Sequence, residues 1–396
     1  MKICLISNLY EPYILGGAEN YVGRIARGLS EHDEVIVITT CPGLKSLTVN
    51  EGKIRIYRFT PFNIYHTYHA KQVKEYVKPL WHLLDFWNPH TYLIAKDILK
   101  NENPDIVHLN NLGGLSLSVI SALRVLKLPH IYTIHDFSLL CPRATLLHAY
   151  GKICEHKNPF CRSYGCIKRN LSGSPDIVTA PSQFVLEMHL RNGFFKQSKV
   201  VKMPLGIVLP EDKVRKRLHG SISILYVGQV SLHKGVDILI DAFKCIISDC
   251  IKLDIVGKGP DMEDLLQKAS DDRRIKFHGF VSSEELAEIF RNTDLLVVPS
   301  VWYDNSPMVI YEALSYGVPV LASRIGGIPE LILNGYNGVL FDAGDRDQLR
   351  STLKKLVLNR SELERMSKNA QESSIKYGMK EHLTQLRSLY REAMDR

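Results

Sequence analysis

Short β-branched runs alternating with longer helical periods constrain this chain more than any other feature of its sequence. KICLISNL (2–9), EVIVITT (34–40), IRIYRF (54–59), DIVHLN (105–110), HIYTIH (130–135), DIVTAPS (176–182) and KVVKMP (199–204) are near-continuously apolar. Strands read that way when helices cover both faces of their sheet. Helical periods separate them, notably at 19–30 and 115–126. The pattern stops at PEDKVRKRLHG (210–220), which is polar, charged and aperiodic. It restarts with ISILYVG (222–228), LDIVG (253–257), IKFHGFV (275–281), DLLVVPS (294–300) and PVLAS (319–323). Two α/β units of similar size follow, each built on a parallel sheet. We place the domains at 1–208 and 209–377, with an amphipathic helix at 378–396 packing back on the first. Open parallel sheets bind ligands beyond the carboxyl ends of their strands, so a cleft between the units is the expected site.

Composition enters by exclusion. The 396 residues are 45% hydrophobic and 23% charged, unlike disordered, collagenous or coiled-coil chains. No window approaches the roughly 18 unbroken apolar residues that a membrane span needs. Glu11 and Pro12 interrupt the first apolar run too early for a secretory signal, so the chain reads as cytoplasmic. Lys and Arg exceed Asp and Glu by 50 to 42, a net +8. That mild excess suits an anionic ligand or an anionic membrane surface, and nucleic acid is not expected as a partner.

Four segments carry candidate chemistry. Gly16-Gly17 precedes a helix expected to begin near Ala18, leaving backbone N–H groups for an anion, although a plain turn explains the pair as well. His135 and Asp136 stand at the carboxyl end of a strand, as substrate ligands or as a mere cap to the sheet. YVGQVSLHKGVDILIDAF places Gln229 and Lys234 in a glycine-containing loop between strand and helix, and VGKGP (256–260) adds a second such turn at Gly257. A lysine there can neutralise a diphosphate, or be simply solvated. Neither a dinucleotide fingerprint nor a P-loop spacing is present.

The fourth is PSVWYDNSPMVIYEALSYGVPVLASRIGGIPELILNGYNGVLF. Asp304 follows a strand, and a helix is expected to start near Ser306-Pro307, with Pro in its first turn. Its first N–H groups, around Met308 and Val309, suit phosphate oxygens. Glu312 sits within the helix. Carboxylates beside an anion site make sense as acceptors for sugar or ribose hydroxyls.

This last segment resembles the signature of retaining glycosyltransferases of family 4 (glycosyl transferases group 1), which share the GT-B fold of two Rossmann-like domains facing across a cleft. Their paired glutamates are separated by seven residues. Here Glu312 matches the second, and Asp304 stands at the first. The loop 228–235 resembles their phosphate loop, with Lys234 at the lysine and Gln229 where many members carry arginine. Gly16-Gly17-Ala18-Glu19 matches their N-terminal glycine loop, and His135 their acceptor-side histidine.

The resemblance implies a hexosyltransferase acting with retention, taking a nucleotide-diphosphate sugar as donor and a glycan or lipid-linked saccharide as acceptor. It implies that Glu312 takes the ribose hydroxyls and Asp304 contacts the transferring sugar. Lys234 and the amides of Met308, Val309 and Gly17 would stabilise the departing diphosphate, with no metal or other cofactor required. The nucleotide base would lie near Phe280 and Val281. The shorter Asp304 shifts the sugar contact, and Gln229 leaves more of the phosphate charge to Lys234. Rival readings are a sugar-nucleotide epimerase, a phosphorylase, and a nucleotide-sugar binding protein without catalysis.

Two further features stand outside that scheme. Cys141, Cys154, Cys161 and Cys166 fall in a basic insertion at 141–166, where a structural zinc, disulfides or plain thiols are all open. Cys4, Cys41, Cys245 and Cys250 read as packed thiols in apolar runs. Residues 57–92 hold ten aromatic side chains, Trp81 and Trp87 among them, either as a helical layer over the first sheet or as a surface for sugars or a membrane interface.

Overall fold

The structure is a computed structural model describing residues 1–43, 46–148, 151–211 and 220–396, the side chains of Lys71 and Glu75 excepted. Most of the linker read at 210–220, namely 212–219, lies outside the described residues. Contacts divide the chain into two compact units. Met1–Leu146, Cys154–Gly206 and Met379–Arg396 form the first, and Leu147–Ile153 with Ile207–Gly378 the second. Of the stretch read as an insertion in the first unit, Leu147–Ile153 therefore groups with the second.

The first unit is built on β1 (Lys2–Ile6), β2 (Glu34–Thr40), β3 (Leu47–Glu51), β4 (Ile54–Phe59), β5 (Ile106–Leu109), β6 (His130–Thr133), β7 (Ile177–Ala180) and β8 (Lys199–Lys202). They form one sheet in the order β3-β4-β2-β1-β5-β6-β7-β8, parallel except for β3, which runs antiparallel to β4. Ile3, Leu5 and Ile6 in β1 and Val35 to Ile38 in β2 are fully buried, as central strands between two helical layers must be. The helix Gly17–Ser30 covers the sheet with Tyr21, Val22, Ile25, Ala26 and Leu29, an apolar stripe of helical period. The C-terminal helix Met379–Met394 belongs to this unit. Its His382 Nε2 lies 2.9 Å from Tyr21 Oη, and its Tyr390 Oη 2.8 Å from His108 Nδ1.

In the second unit β9 (Ile222–Val227), β10 (Ile251–Val256), β11 (Ile275–Gly279), β12 (Leu295–Val298), β13 (Val320–Ser323) and β14 (Gly338–Phe341) form an all-parallel sheet ordered β11-β10-β9-β12-β13-β14. Helix Val236–Lys244 buries Val236, Ile238, Leu239, Ile240, Ala242 and Phe243 against it. Chain order reverses between β9 and β12, so the loops after those two strands leave the sheet in opposite directions and open a crevice. The same reversal occurs between β1 and β5 in the first unit. These switch points decide where a ligand can sit.

Among the described residues no helix is long and apolar enough to cross a membrane. Of the cysteines read as packed, Cys4 and Cys41 are buried, whereas Cys245 and Cys250 are exposed. Cys245 is the C-cap residue of helix Val236–Lys244, and Cys250 immediately precedes β10, so both stand on turns rather than in the core.

Candidate active site

Lys234 and Asp304 come from the two loops that the switch point of the second sheet brings together. After β9 the chain makes a short 3₁₀ turn, Leu232–Lys234, before helix Val236–Lys244. The loop is stitched to its neighbours by main-chain bonds: Gly228 N–H donates to Val256 O at 3.0 Å, Val230 N–H to Lys258 O at 3.1 Å, and Gly257 N–H to Gly279 O at 2.7 Å. Gly257 has φ +132, and a Cβ there would stand 1.9 Å from Gly228 O, so only glycine lets the ends of β9 and β10 approach this closely. Gln229 is fixed through its backbone, whose carbonyl accepts the Tyr226 hydroxyl at 2.7 Å.

Asp304 is 8% exposed, and its carboxylate is fully engaged. Lys234 Nζ donates to Oδ1 at 2.8 Å and Oδ2 at 2.9 Å, and the buried Ser300 hydroxyl donates to Oδ2 at 2.7 Å. The ammonium also lies 4.8 Å from the centre of the Trp302 ring. A cation held between a carboxylate and an indole face is well placed to meet a second anion. The main chain of Asp304 is pinned by the Gly326-Gly327 turn: Gly327 N–H donates to Asp304 O at 2.8 Å. Gly326 has φ +59, and a Cβ on it would come within 2.2 Å of that same oxygen.

Helix Met308–Ser315 begins directly after this loop. Pro307 is its extended N-cap residue rather than part of the first turn, and supplies no side-chain cap. Ser306 does not cap either, because its hydroxyl lies 2.6 Å from that of the buried Tyr311. The amides of Met308 and Val309 are thus left without a side-chain acceptor at the positive end of the helix dipole. Glu312 is half-buried on the second turn of the helix. Phe280 follows β11 and is 80% exposed, beside the half-buried Val281.

In the first unit His135 follows β6, with Nε2 2.9 Å from Asn110 Oδ1 and its ring 5.2 Å from that of Tyr21. Burial pushes its pKa down to about 3, so the imidazole is neutral at pH 7 and serves as a hydrogen-bonding group, not as a cation. Asp136 accepts the Ser138 N–H at 2.8 Å, and burial raises its pKa. Gly16 and Gly17 are exposed at the start of helix Gly17–Ser30, but the Gly16 N–H already donates to Glu19 Oε2 at 2.7 Å. Glu19 thus takes one of the amides read as free for an anion.

Of the three readings left open for the cysteines, zinc has no arranged ligand set to support it: among the described residues no group of three or more His, Cys, Asp or Glu is arranged to hold a metal ion. Cys161 and Cys166 lie five residues apart on helix Pro159–Ser172, on different sides of it, and Cys166 Sγ accepts from Arg169 at 3.5 Å. All four cysteines of the stretch carry free thiols. Burial, and then the neighbouring thiols, raise the pKa of Cys154 and Cys161, keeping them protonated.

Sequence reading missed Ser300, Trp302 and Asn110. Each is an ordinary residue whose importance comes only from what folds against it. The Pro299-Ser300 step just after β12 was the visible hint at the first.

Two family models match nearly the whole chain: "Glycosyltransferase Family 4" over residues 15–209 and "Glycosyl transferases group 1" over residues 210–373. The chain belongs to the family-4 glycosyltransferases. An uncharacterized glycosyltransferase of Methanocaldococcus jannaschii is 25% identical over 406 aligned residues, covering 100% of this chain and 99% of the relative. Sucrose-phosphate synthase from Thermosynechococcus elongatus has the same fold, with a TM-score of 0.76 at 19% identity over 99% of this chain and 98% of that one. HepE of Anabaena, in complex with UDP and glucose, gives 0.70 at 18% over 99% and 100%. The architecture is therefore that of GT-B glycosyltransferases, two parallel-sheet α/β domains, and the chain is a glycosyltransferase.

Proposed function

We propose that this glycosyltransferase moves a hexose, with retention of anomeric configuration, from a UDP-sugar to a glycan or lipid-linked saccharide. The observation that carries the donor reading is the anion-ready corner of the second unit. There Lys234 is held against Asp304, next to the uncapped start of helix Met308–Ser315. The diphosphate would meet the Lys234 ammonium and the Met308 and Val309 amides, spreading the leaving-group charge over one cation and the helix dipole. Glu312, one turn further along, would accept the ribose hydroxyls, and exposed Phe280 with Val281 would flank the base beside Gly257 and Gln229. HepE, which holds UDP and glucose on the same fold, supports uridine and a hexose.

Asp304 takes a different part from the one its position in the motif implies. Its carboxylate is spent on Lys234 and Ser300, so we propose that it holds the lysine until the diphosphate competes it away, and reaches the sugar only when the pair opens. His135, neutral and oriented by Asn110, would hydrogen-bond a saccharide hydroxyl. Gly16 and Gly17 remain candidates for the donor with Glu19 as competitor.

Incubation with UDP-glucose tests the reading, because transferases of this kind release sugar slowly to water. Glu312→Ala should bind UDP more weakly and release no hexose while keeping the melting temperature. Hexose release by that variant at the wild-type rate would refute the assignment.

A further inference from the structure

Helix Lys78–Phe86 is turned inside out. Leu80, Leu83, Leu84 and Trp87 recur at the spacing of one helical face, the pattern that normally marks the buried side. Here that face is the exposed one: Leu80 is 59%, Leu83 62% and Trp87 42% accessible. The opposite side carries Asp85, 2% exposed, and Trp81. Leu93 on the next helix, Pro89–Glu102, is 63% accessible, and Phe62 and Tyr76 about three-quarters so, at 76% and 75%.

A polar anchor explains why the helix cannot roll over. Asp85 Oδ2 accepts Lys168 Nζ at 3.1 Å, and Oδ1 accepts the Gly114 N–H at 2.7 Å. Lys168 is itself 4% exposed, with its ammonium 5.5 Å from the Phe86 ring and 5.7 Å from that of Tyr164. Turning the leucines inward would drag Asp85 out and leave the Lys168 charge buried alone. Trp81 adds a second tether through its Nε1–H, 2.9 Å from Tyr65 O, while its ring stacks on that of Tyr65. The sequence thus invests a buried charge pair in keeping an apolar stripe outside.

Charge says what covers it. Between Tyr76 and Lys96 the single acidic residue is Asp85, and it is buried, so this stretch shows no negative charge to solvent. Lys74 and Lys96 lie beside aromatic rings at its borders, 6.0 Å from Tyr76 and 5.6 Å from Tyr92. Apolar side chains bordered by Trp, Tyr and Lys, with the nearest other acids, Glu75 and the exposed Asp97, only at the two ends, match the layering of an anionic lipid surface: hydrocarbon below, aromatic rings at the headgroups, cations toward phosphate.

We infer that the outer face of helix Lys78–Phe86, extended by Trp87 and Leu93, docks the first unit on the surface of an anionic phospholipid bilayer. The contact is interfacial and needs neither donor nor acceptor, so it stands or falls separately from the donor reading.

The test is co-sedimentation of the full chain with vesicles of phosphatidylglycerol and phosphatidylcholine, compared with phosphatidylcholine alone, without nucleotide. Wild type should pellet with the anionic vesicles and shift its tryptophan emission to the blue. Binding should fall at about 1 M salt, where the screening length shrinks to about 3 Å. Leu83→Glu/Leu84→Glu should weaken binding at least tenfold with an unchanged melting temperature. Lys74→Ala should weaken it roughly fivefold, the worth of one cation near such a surface. The inference is overturned if wild type stays in the supernatant at low salt, or if the double leucine variant pellets as well as wild type. It is equally overturned if the face proves to join two copies, seen as a dimer that the leucine variant dissolves in the absence of lipid binding.

Discussion

Lys234 Nζ bonds both carboxylate oxygens of Asp304, at 2.8 and 2.9 Å, so the cation assigned to the donor is already paired within the protein. A diphosphate must share or take that ammonium from Asp304. Asp304→Asn keeps the shape and removes the competing charge. UDP should then bind several-fold more tightly while hexose transfer falls, measured by calorimetry and by a coupled UDP-release assay. Weaker UDP binding by Asp304→Asn would mean that the carboxylate orients the lysine for phosphate instead of competing for it.

Ser300 is the buried donor that steadies Asp304, at 2.7 Å. Ser300→Ala leaves a buried carboxylate oxygen one hydrogen bond short, which costs about 1–3 kcal/mol. A lower melting temperature and a reduced kcat are expected, with both rescued by Ser300→Thr. An unchanged melting temperature would show that the bond contributes little.

Most of the alternation from β1 to β13 was legible, because strands covered on both faces must be apolar throughout. Two strands were not. β3 is exposed along its whole length, with the sequence LTVNE, and pairs only at the sheet edge, so no apolar signal marks it. Gly338–Phe341 is a four-residue strand embedded in a glycine-rich turn region. Asp304, Glu312 and Lys234 stood out by their places after strands or within a helix, and by the resemblance. That Asp304 faces Lys234 did not, since seventy residues separate them. Just beyond the basic insertion at 141–166, Lys168 is buried by its pairing with Asp85, which no local pattern announces.

That pair makes its own prediction. Lys168→Met leaves Asp85 buried and unpaired and should destabilise by about 3–5 kcal/mol. Asp85→Leu combined with Lys168→Met removes both charges and should recover much of the loss in denaturant unfolding. Failure of the double variant to recover would show that the Asp85 bond to Gly114 matters more than the ion pair.

The C-terminal helix should loosen in acid. Burial lowers the pKa of His108 to about 3 and of His382 to about 4, while the unfolded imidazole stays near its ordinary 6.5. The unfolded chain therefore binds more protons across that interval. The stabilisation is complete above pH 6.5 and is lost as pH falls toward 4, at up to about 1.4 kcal/mol per unit for each histidine. Glu102 acts lower. Burial raises its pKa, but bonds from Lys2, Tyr57 and Arg55 outweigh that and hold it down to about 2, so its share is lost only below the ordinary carboxylate range. Thermal melts from pH 7.5 to 4.5 should show the early decline, to which buried His135 and His189 add, and His382→Asn should reduce its slope. Equal slopes in the two proteins would contradict this origin.

Calorimetric titration of UDP into wild type and Lys234→Ala bears most directly on the account. Removal of the Lys234 ammonium at the corner of β9, β12 and helix Met308–Ser315 should weaken UDP by at least tenfold, about 1.4 kcal/mol, with the fold intact by its melting temperature. Equal affinity in the two proteins would place the diphosphate somewhere else and contradict the account.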